Sequence, residues 1–213
     1  MANLGKYRTI LLFGMPGSGK GTQGAVLGQL PGLVHISMGE VFRKIPKGGR
    51  FGAEIGSYTS QGKLVPDELT VRIWENHIKI LEMQEFLIKE QHTLLLDGLP
   101  RNYHQAKMLH GILDVVQIFH LKILDTAKAV SRLKARALSE NRLDDMNDEV
   151  IKRRLATYHD DTFNTLSFYP QELLYDIDAG QTPLSVLKDI VSRMWELQNE
   201  QFGEHPPKGV NVW

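Results

Sequence analysis

The chain has 213 residues, 42% of them hydrophobic, enough for one sizeable core with room for small inserted parts. Its 25 Lys and Arg balance 25 Asp and Glu, so bulk charge gives no argument for nucleic acid or an anionic membrane as partner, and neither is expected. Cysteine is absent, which excludes disulfides and thiolate metal ligands; with no apolar run of membrane-spanning length and no secretory pattern at the start, a cytoplasmic location is expected.

Residues 9–13 form a short apolar run that reads as a buried strand and ends at a glycine-rich loop, GMPGSGKGT, spanning Gly14 to Thr22. Helical spacing follows over 20–30, then a second apolar run at 33–36. The stretch KIPKGGRFGAEIGSYTSQGK carries no strand run and is rich in Gly and Lys, so it reads as part of an insertion projecting from the sheet. Further helical patterns fall at 66–89, 103–112, 125–138, 147–166 and 182–201, and further apolar runs at 93–96, 115–121 and 173–177. Near-continuous apolar strands alternating with helices predict an α/β fold with a five-stranded parallel sheet covered on both faces. In such a sheet, ligands bind beyond the carboxyl ends of the strands. Residues 203–213 carry Pro and Gly without periodicity and read as a tail.

The loop departs from the common phosphate-binding pattern, in which Ser or Thr directly follows Gly-Lys. Here Gly21 follows Lys20, and Thr22 comes one residue later. The physical logic holds nonetheless. Gly14, Gly17, Gly19 and Gly21 let the backbone approach an anion, the helix N-terminus adds positive potential, and Lys20 supplies a mobile charge for the outer phosphates. The bland alternative is a glycine-rich turn opening a helix; it requires the strand, the four glycines and the lysine to coincide in order by chance.

Gly-x-Pro-Gly-x-Gly-Lys-Gly-Thr resembles the loop of nucleoside monophosphate kinases of the adenylate kinase family. Five more segments resemble that family's parts in order: HISMGEVFR, GKLVPDE, LLLDGLPRNYHQA, RLKARALSENRLDD and KRRLATY. The resemblance runs from about Lys6 to Val191. It implies a P-loop three-layer kinase domain over 1–202, with a monophosphate-binding insertion at about 37–66 and a short lid at about 136–146. The implied reaction is ATP + AMP to two ADP, with Mg²⁺ accompanying ATP. The acceptor oxygen is already anionic, so catalysis must come from charge neutralisation, positioning and exclusion of water. Arginine suits this, since its planar fork binds phosphate oxygens bidentately and stays protonated.

Carried over residue by residue, the resemblance assigns ATP binding to Gly17, Ser18, Gly19, Lys20, Gly21, Thr22, Arg132 and Arg136. Arg132 would lie against the adenine. The monophosphate falls to Met38, Arg43, Lys63, Leu64, Val65, Gly98, Arg101, Gln105, Arg142 and Arg154, with Arg101 spanning donor and acceptor phosphates. The catalytic cations are then Lys20, Arg101, Arg136, Arg142 and Arg154. Asp144 and Asp145 would bond lid arginines on closure, and Asp97, through water, and Thr22 would serve Mg²⁺. Each residue also has a plainer reading. Arg132 and Arg136 could share a solvated helix face. Asp144 or Asp145 could cap the next helix, Asp97 could end a strand, and Gln105 could simply open a surface helix.

Gln105 favours AMP, because an amide pairs naturally with adenine, whereas UMP/CMP kinases carry Asn there. Met38 departs from the family's threonine and leaves UMP, CMP or dTMP as alternative acceptors. Glu40 replaces the usual Asp, and Leu99 an aromatic residue. A one-residue offset leaves Arg153 competing with Arg154, and supports the rival of a nucleotide-binding module without turnover. A lid of only ALSEN between Arg136 and Arg142, with no cysteine, predicts no zinc. The site is expected to be complete within one chain, hence a monomer.

Overall fold

The computed structural model describes residues 5–49, 51–139 and 145–202. Five strands, β1 (Tyr7–Phe13), β2 (Leu33–Ser37), β3 (Thr93–Asp97), β4 (Leu113–Lys122) and β5 (Leu174–Asp178), form one sheet. Its order is β2-β3-β1-β4-β5, and every pairing is parallel. Side chains alternate across it with the period of two that a strand imposes. Leu11, Phe13, Leu94, Leu96 and Ile118 join one apolar cluster, while Ile10, Leu12, Leu95, Phe119 and Leu121 join another on the opposite face. This is why the central strands read as unbroken apolar runs.

The first cluster packs Trp74, Ile73 and Ile78 of α4 (Asp67–Met83) and Leu109 of α5 (Tyr103–Leu109). The second packs Leu27 of α1 (Lys20–Leu27), Ala129 of α6 (Thr126–Ser139) and Val186, Ile190 and Met194 of α9 (Pro183–Phe202). The three-layer arrangement is thus the one predicted.

Differences from the sequence reading lie at helix ends and in the insertion. KIPKGGRFGAEIGSYTSQGK holds α3 (Gly52–Thr59), preceded by α2 (Met38–Lys44) directly after β2. The final turn of α1 tightens, with the amides of Gln29 and Leu30 bonding the carbonyls of Val26 and Leu27, so the helix stops at Leu27 and not at 30. The predicted helix 66–89 ends at Met83. Glu85 adopts φ 58°, the Phe86 amide bonds Leu81 O, and the Glu85 amide bonds Glu82 O, a pairing that closes a helix. The predicted helix 147–166 divides into α7 (Asp148–Thr157), a π-helical turn (Tyr158–Thr162) and α8 (Phe163–Leu166). At that turn the Tyr158 hydroxyl lies 2.9 Å from Nε2 of the buried His120.

Candidate active site

A cavity opens beyond the carboxyl ends of β1, β2 and β3, where Phe13, Ser37 and Asp97 border it. The loop 14–19 forms its floor. Gly14 and Gly17 take φ 148° and 85°. A Cβ on Gly14 would lie 2.6 Å from Leu121 O, and one on Gly17 would lie 2.5 Å from Ala129 O. The loop is thus wedged against β4 and α6 in a shape that no side chain allows. No side chain caps α1, so its first-turn amides are left for an anion. The Ser18 hydroxyl is buried without a partner. Gly17, Gly19, Lys20, Gly21 and Thr22 all border the cavity.

Lys20 folds back over the loop, its Nζ donating to Gly14 O at 2.6 Å and Met15 O at 3.1 Å. Burial lowers its pKa to about 8; Asp97 opposes the shift, while Arg101, Arg154 and Arg136 add to it. Burial also lowers the pKa of Arg101, assisted by Arg154 and Arg43. A chain of zero net charge therefore concentrates mutually repelling cations in one cleft, an arrangement that a polyphosphate relieves.

A second cavity adjoins the first. Phe42, Arg43, Ile55, Lys63, Leu64, Val65, Thr70 and Gln105 border it. Arg43, Gly98, Arg101 and Arg154 border both. Arg101 is steered by its Nε donating to Gly98 O at 3.1 Å. Arg136 borders the first cavity. Its Nε donates to Asp145 at 3.0 Å, and Arg154 bonds the other oxygen of the same carboxylate. Asp145 is 0% exposed, so two guanidiniums neutralise one buried carboxylate and fix both arginines.

Arg153 and Arg154 separate cleanly. Arg154 points into the cleft, whereas Arg153 is exposed and donates to Gln61 O at 2.9 Å. Asp145 does not cap α7, as the plainer reading would have it. Asn147 does so, accepting from the amides of Glu149 and Val150. Arg142 and Asp144 lie outside the described residues.

Two of the residues assigned to nucleotide contacts border neither cavity. Met38, expected beside the acceptor base, is 1% exposed, packs in the core cluster with Ile36 and Ile55, and borders neither cavity. The first turn of α2 buries it under the sheet edge. Arg132, expected against the adenine, also borders neither cavity. Its guanidinium donates to Ala179 O at 2.7 Å and Gln181 O at 3.2 Å, pinning the loop after β5.

Three further residues were given no role by the sequence reading. Ser37 borders the first cavity and donates to Asp97 at 3.2 Å. Glu40 borders both cavities. Asp67 accepts from Gln105 Nε2 at 2.7 Å and Asn102 Nδ2 at 2.8 Å. The segment GKLVPDE flagged Asp67 by position, but nothing in the sequence names its partners 35 to 38 residues away.

The sheet, loop and cleft define a P-loop nucleotide-binding fold. A family model described as adenylate kinase matches residues 12–173. The adenylate kinase of a Cyanothece species is 34% identical over 199 residues, covering 91% of this chain and 98% of that relative. That of Phocaeicola vulgatus is 34% identical over 195 residues, covering 88% and 98%. That of Bacteroides thetaiotaomicron is 37% identical over 172 residues, covering 78% and 86%. The chain belongs to the adenylate kinase family.

Proposed function

We propose that the chain transfers the terminal phosphoryl group of MgATP reversibly to AMP, giving two ADP. The observation that carries this is the meeting of two cavities at Arg43, Arg101 and Arg154, with Lys20 on the side of the glycine loop. The first cavity takes the triphosphate, held by the loop amides, Ser18, Lys20 and Thr22. The second takes the monophosphate, its phosphate on Arg43 and its base toward Gln105, with Lys63 to Val65 along the base and ribose. The Lys63 amide already bonds Tyr58 O, so Lys63 contributes as wall. Arg101, Arg136 and Arg154 neutralise the charge that develops between donor and acceptor, and Arg142 joins them from the lid.

The residues near the loop fit Mg²⁺. Asp97 presents a carboxylate toward α1, so that a Cβ on Gly21 would lie 3.8 Å from its Oδ2, and Thr22 borders the same cavity. Oxygen donors of this kind, with waters, suit Mg²⁺. The ion would neutralise phosphate charge. Among the described residues no group of three or more His, Asp and Glu side chains could hold a metal ion, and no helix is long and apolar enough to cross a membrane. Residues 37–66 and 136–146 are proposed as the parts that close, with Asp145 and Asp144 holding the lid arginines. One copy in the cytoplasm suffices for activity, since one chain walls both cavities.

The test is ADP formation from MgATP with AMP, CMP, UMP or dTMP in turn. We expect rapid turnover with AMP and a loss of at least about a thousandfold in kcat for Lys20→Ala. No ADP from a folded protein with any acceptor, while ATP still binds, would overturn the proposal in favour of a binding module.

A further inference from the structure

One carboxylate that borders neither cavity holds a side chain of the acceptor wall. Asp67 opens α4, and three side chains from the cap and first turn of α5 converge on it. Its Oδ1 accepts from Asn102 Nδ2 at 2.8 Å and from Gln105 Nε2 at 2.7 Å, and its Oδ2 lies 3.0 Å from His104 Nδ1. The other end of the Gln105 amide is fixed too, Oε1 accepting from the Arg101 amide at 2.8 Å. The backbone N–H of Arg101 can only donate and an ionised carboxylate can only accept. The two contacts therefore define which end of the amide is oxygen and which is nitrogen. Gln105 is 1% exposed and borders the cavity.

We infer that Asp67 is a specificity-determining positioning residue, which locks the polarity of the Gln105 amide so that the acceptor site selects a 6-aminopurine monophosphate over a 6-oxopurine one. This rests on the reading of the second cavity as the monophosphate site. With both locks made, the amide keeps one acceptor lone pair on Oε1 and one N–H on Nε2. That pair complements an amino group beside a ring nitrogen. A base whose phosphate is anchored by Arg43 arrives in one direction, so the order of acceptor and donor matters. A 6-oxopurine then sets its carbonyl oxygen against Oε1. Without Asp67 only the Arg101 amide holds the polarity, and the Gln105 amide, turning about its last bond at the cost of that one contact, could donate to the oxygen. Leaving a polar group mismatched in a site built for hydrogen bonds is what produces strong rejection of a near-isostere.

The experiment measures kcat and KM with AMP and with IMP, at saturating MgATP, for the wild type, Asp67→Ala, Asp67→Asn, Asn102→Ala and Gln105→Ala. We expect Asp67→Ala to raise KM for AMP about tenfold with a smaller change in kcat. It should cut the preference for AMP over IMP by at least the same factor and leave the KM for MgATP unchanged. Asp67→Asn, which keeps an oxygen for Gln105 Nε2, restores most of the preference. Asn102→Ala removes the cap of α5 and one contact to the same carboxylate; it should lower the melting temperature yet hold the ratio. In a Gln105→Ala background, Asp67→Ala should no longer change the ratio. If Asp67→Ala does not fold, Asp67→Ser, too short to span the contact, is read in its place. A ratio unchanged in Asp67→Ala while the wild type turns over AMP would overturn the inference and leave the enzymatic reading standing. A wild type inactive with AMP would overturn both.

Discussion

The two halves of the cleft are built in different ways. The donor half is made of backbone. The loop from Gly14 to Gly19, wedged by Gly14 and Gly17 against β4 and α6, leads into α1, whose first-turn amides no side chain caps. The acceptor half is made of side chains that meet from separate segments: Arg43 from α2, Asp67 from α4, Gln105 from α5 and Arg154 from α7. The first holds its shape through covalent neighbours and sheet packing. The second holds it through hydrogen bonds such as those of Asp67 and Asp145. The donor half should therefore fail through the loop or its lysine, and the acceptor half through single side chains, each with a separable effect.

The largest effect that tests this contrast comes from two adjacent arginines. Arg154 borders both cavities and is oriented by the buried Asp145, so Arg154→Ala should lower kcat by about a hundredfold to a thousandfold, as loss of a charge stabiliser does. Arg153→Ala removes only an exposed hydrogen bond to Gln61 O, and kcat should stay within a few-fold. Steady-state kinetics on the pair suffice. Equal losses would mean that the hydrogen bond from α7 to Gln61 matters as much as the charge in the cleft.

A middle-sized effect distinguishes the halves by pH. Lys20 titrates at about 8 in the free protein, mainly because it is buried. Bound phosphates favour its charged form and raise that value. Above pH 8, ATP binding must then take up a proton, and affinity should fall by up to about tenfold per pH unit. The stability sign follows from the same shift. Between about 8 and the ordinary 10.5 of lysine the unfolded chain holds more protons, so stability attributable to Lys20 rises with pH across that window. AMP meets guanidiniums, which stay charged, so its binding should take up no proton. Calorimetry near pH 8.5 in two buffers of different ionisation enthalpy reads the difference, and Lys20→Met should abolish the ATP uptake. Equal uptake with AMP would place the titrating group outside the loop.

The same division explains what could be read beforehand. The sheet was legible because strands buried on both faces have no polar alternation to hide them. The loop was legible because its function needs glycines and a lysine in fixed order within nine residues. The arginines of the cleft came only by resemblance, since nothing in their spacing brings Arg43, Arg101 and Arg154 together. The packing of Met38 was not legible that way: the resemblance assigns its position to the base, and its large apolar side chain buries its area in the core. Arg132 is similar, for loop carbonyls at Ala179 and Gln181 satisfy its fork. Helix ends were misjudged where the backbone closes locally, as at Glu85, and where a tertiary contact acts, as at Tyr158 beside His120.

The smallest effect concerns the joint between the lid and α7. Asn147 caps this helix by accepting from two amides, and Asp145, two residues earlier, holds Arg136 and Arg154. The cap and the ion pairs are adjacent in sequence but separate in role. Asn147→Ala should cost about 1 kcal/mol, the ordinary value of a lost cap, lowering the melting temperature by about 2–4 °C in a chain of this size. Arg154 lies two turns further along the helix and is anchored by its own carboxylate, so kcat/KM should change by less than about twofold. Thermal melts and initial rates on one preparation give both numbers. A loss of activity much larger than the loss of stability predicts would mean that the start of α7 sets the position of Arg154, and that the acceptor half is held as rigidly by its backbone as the donor half is.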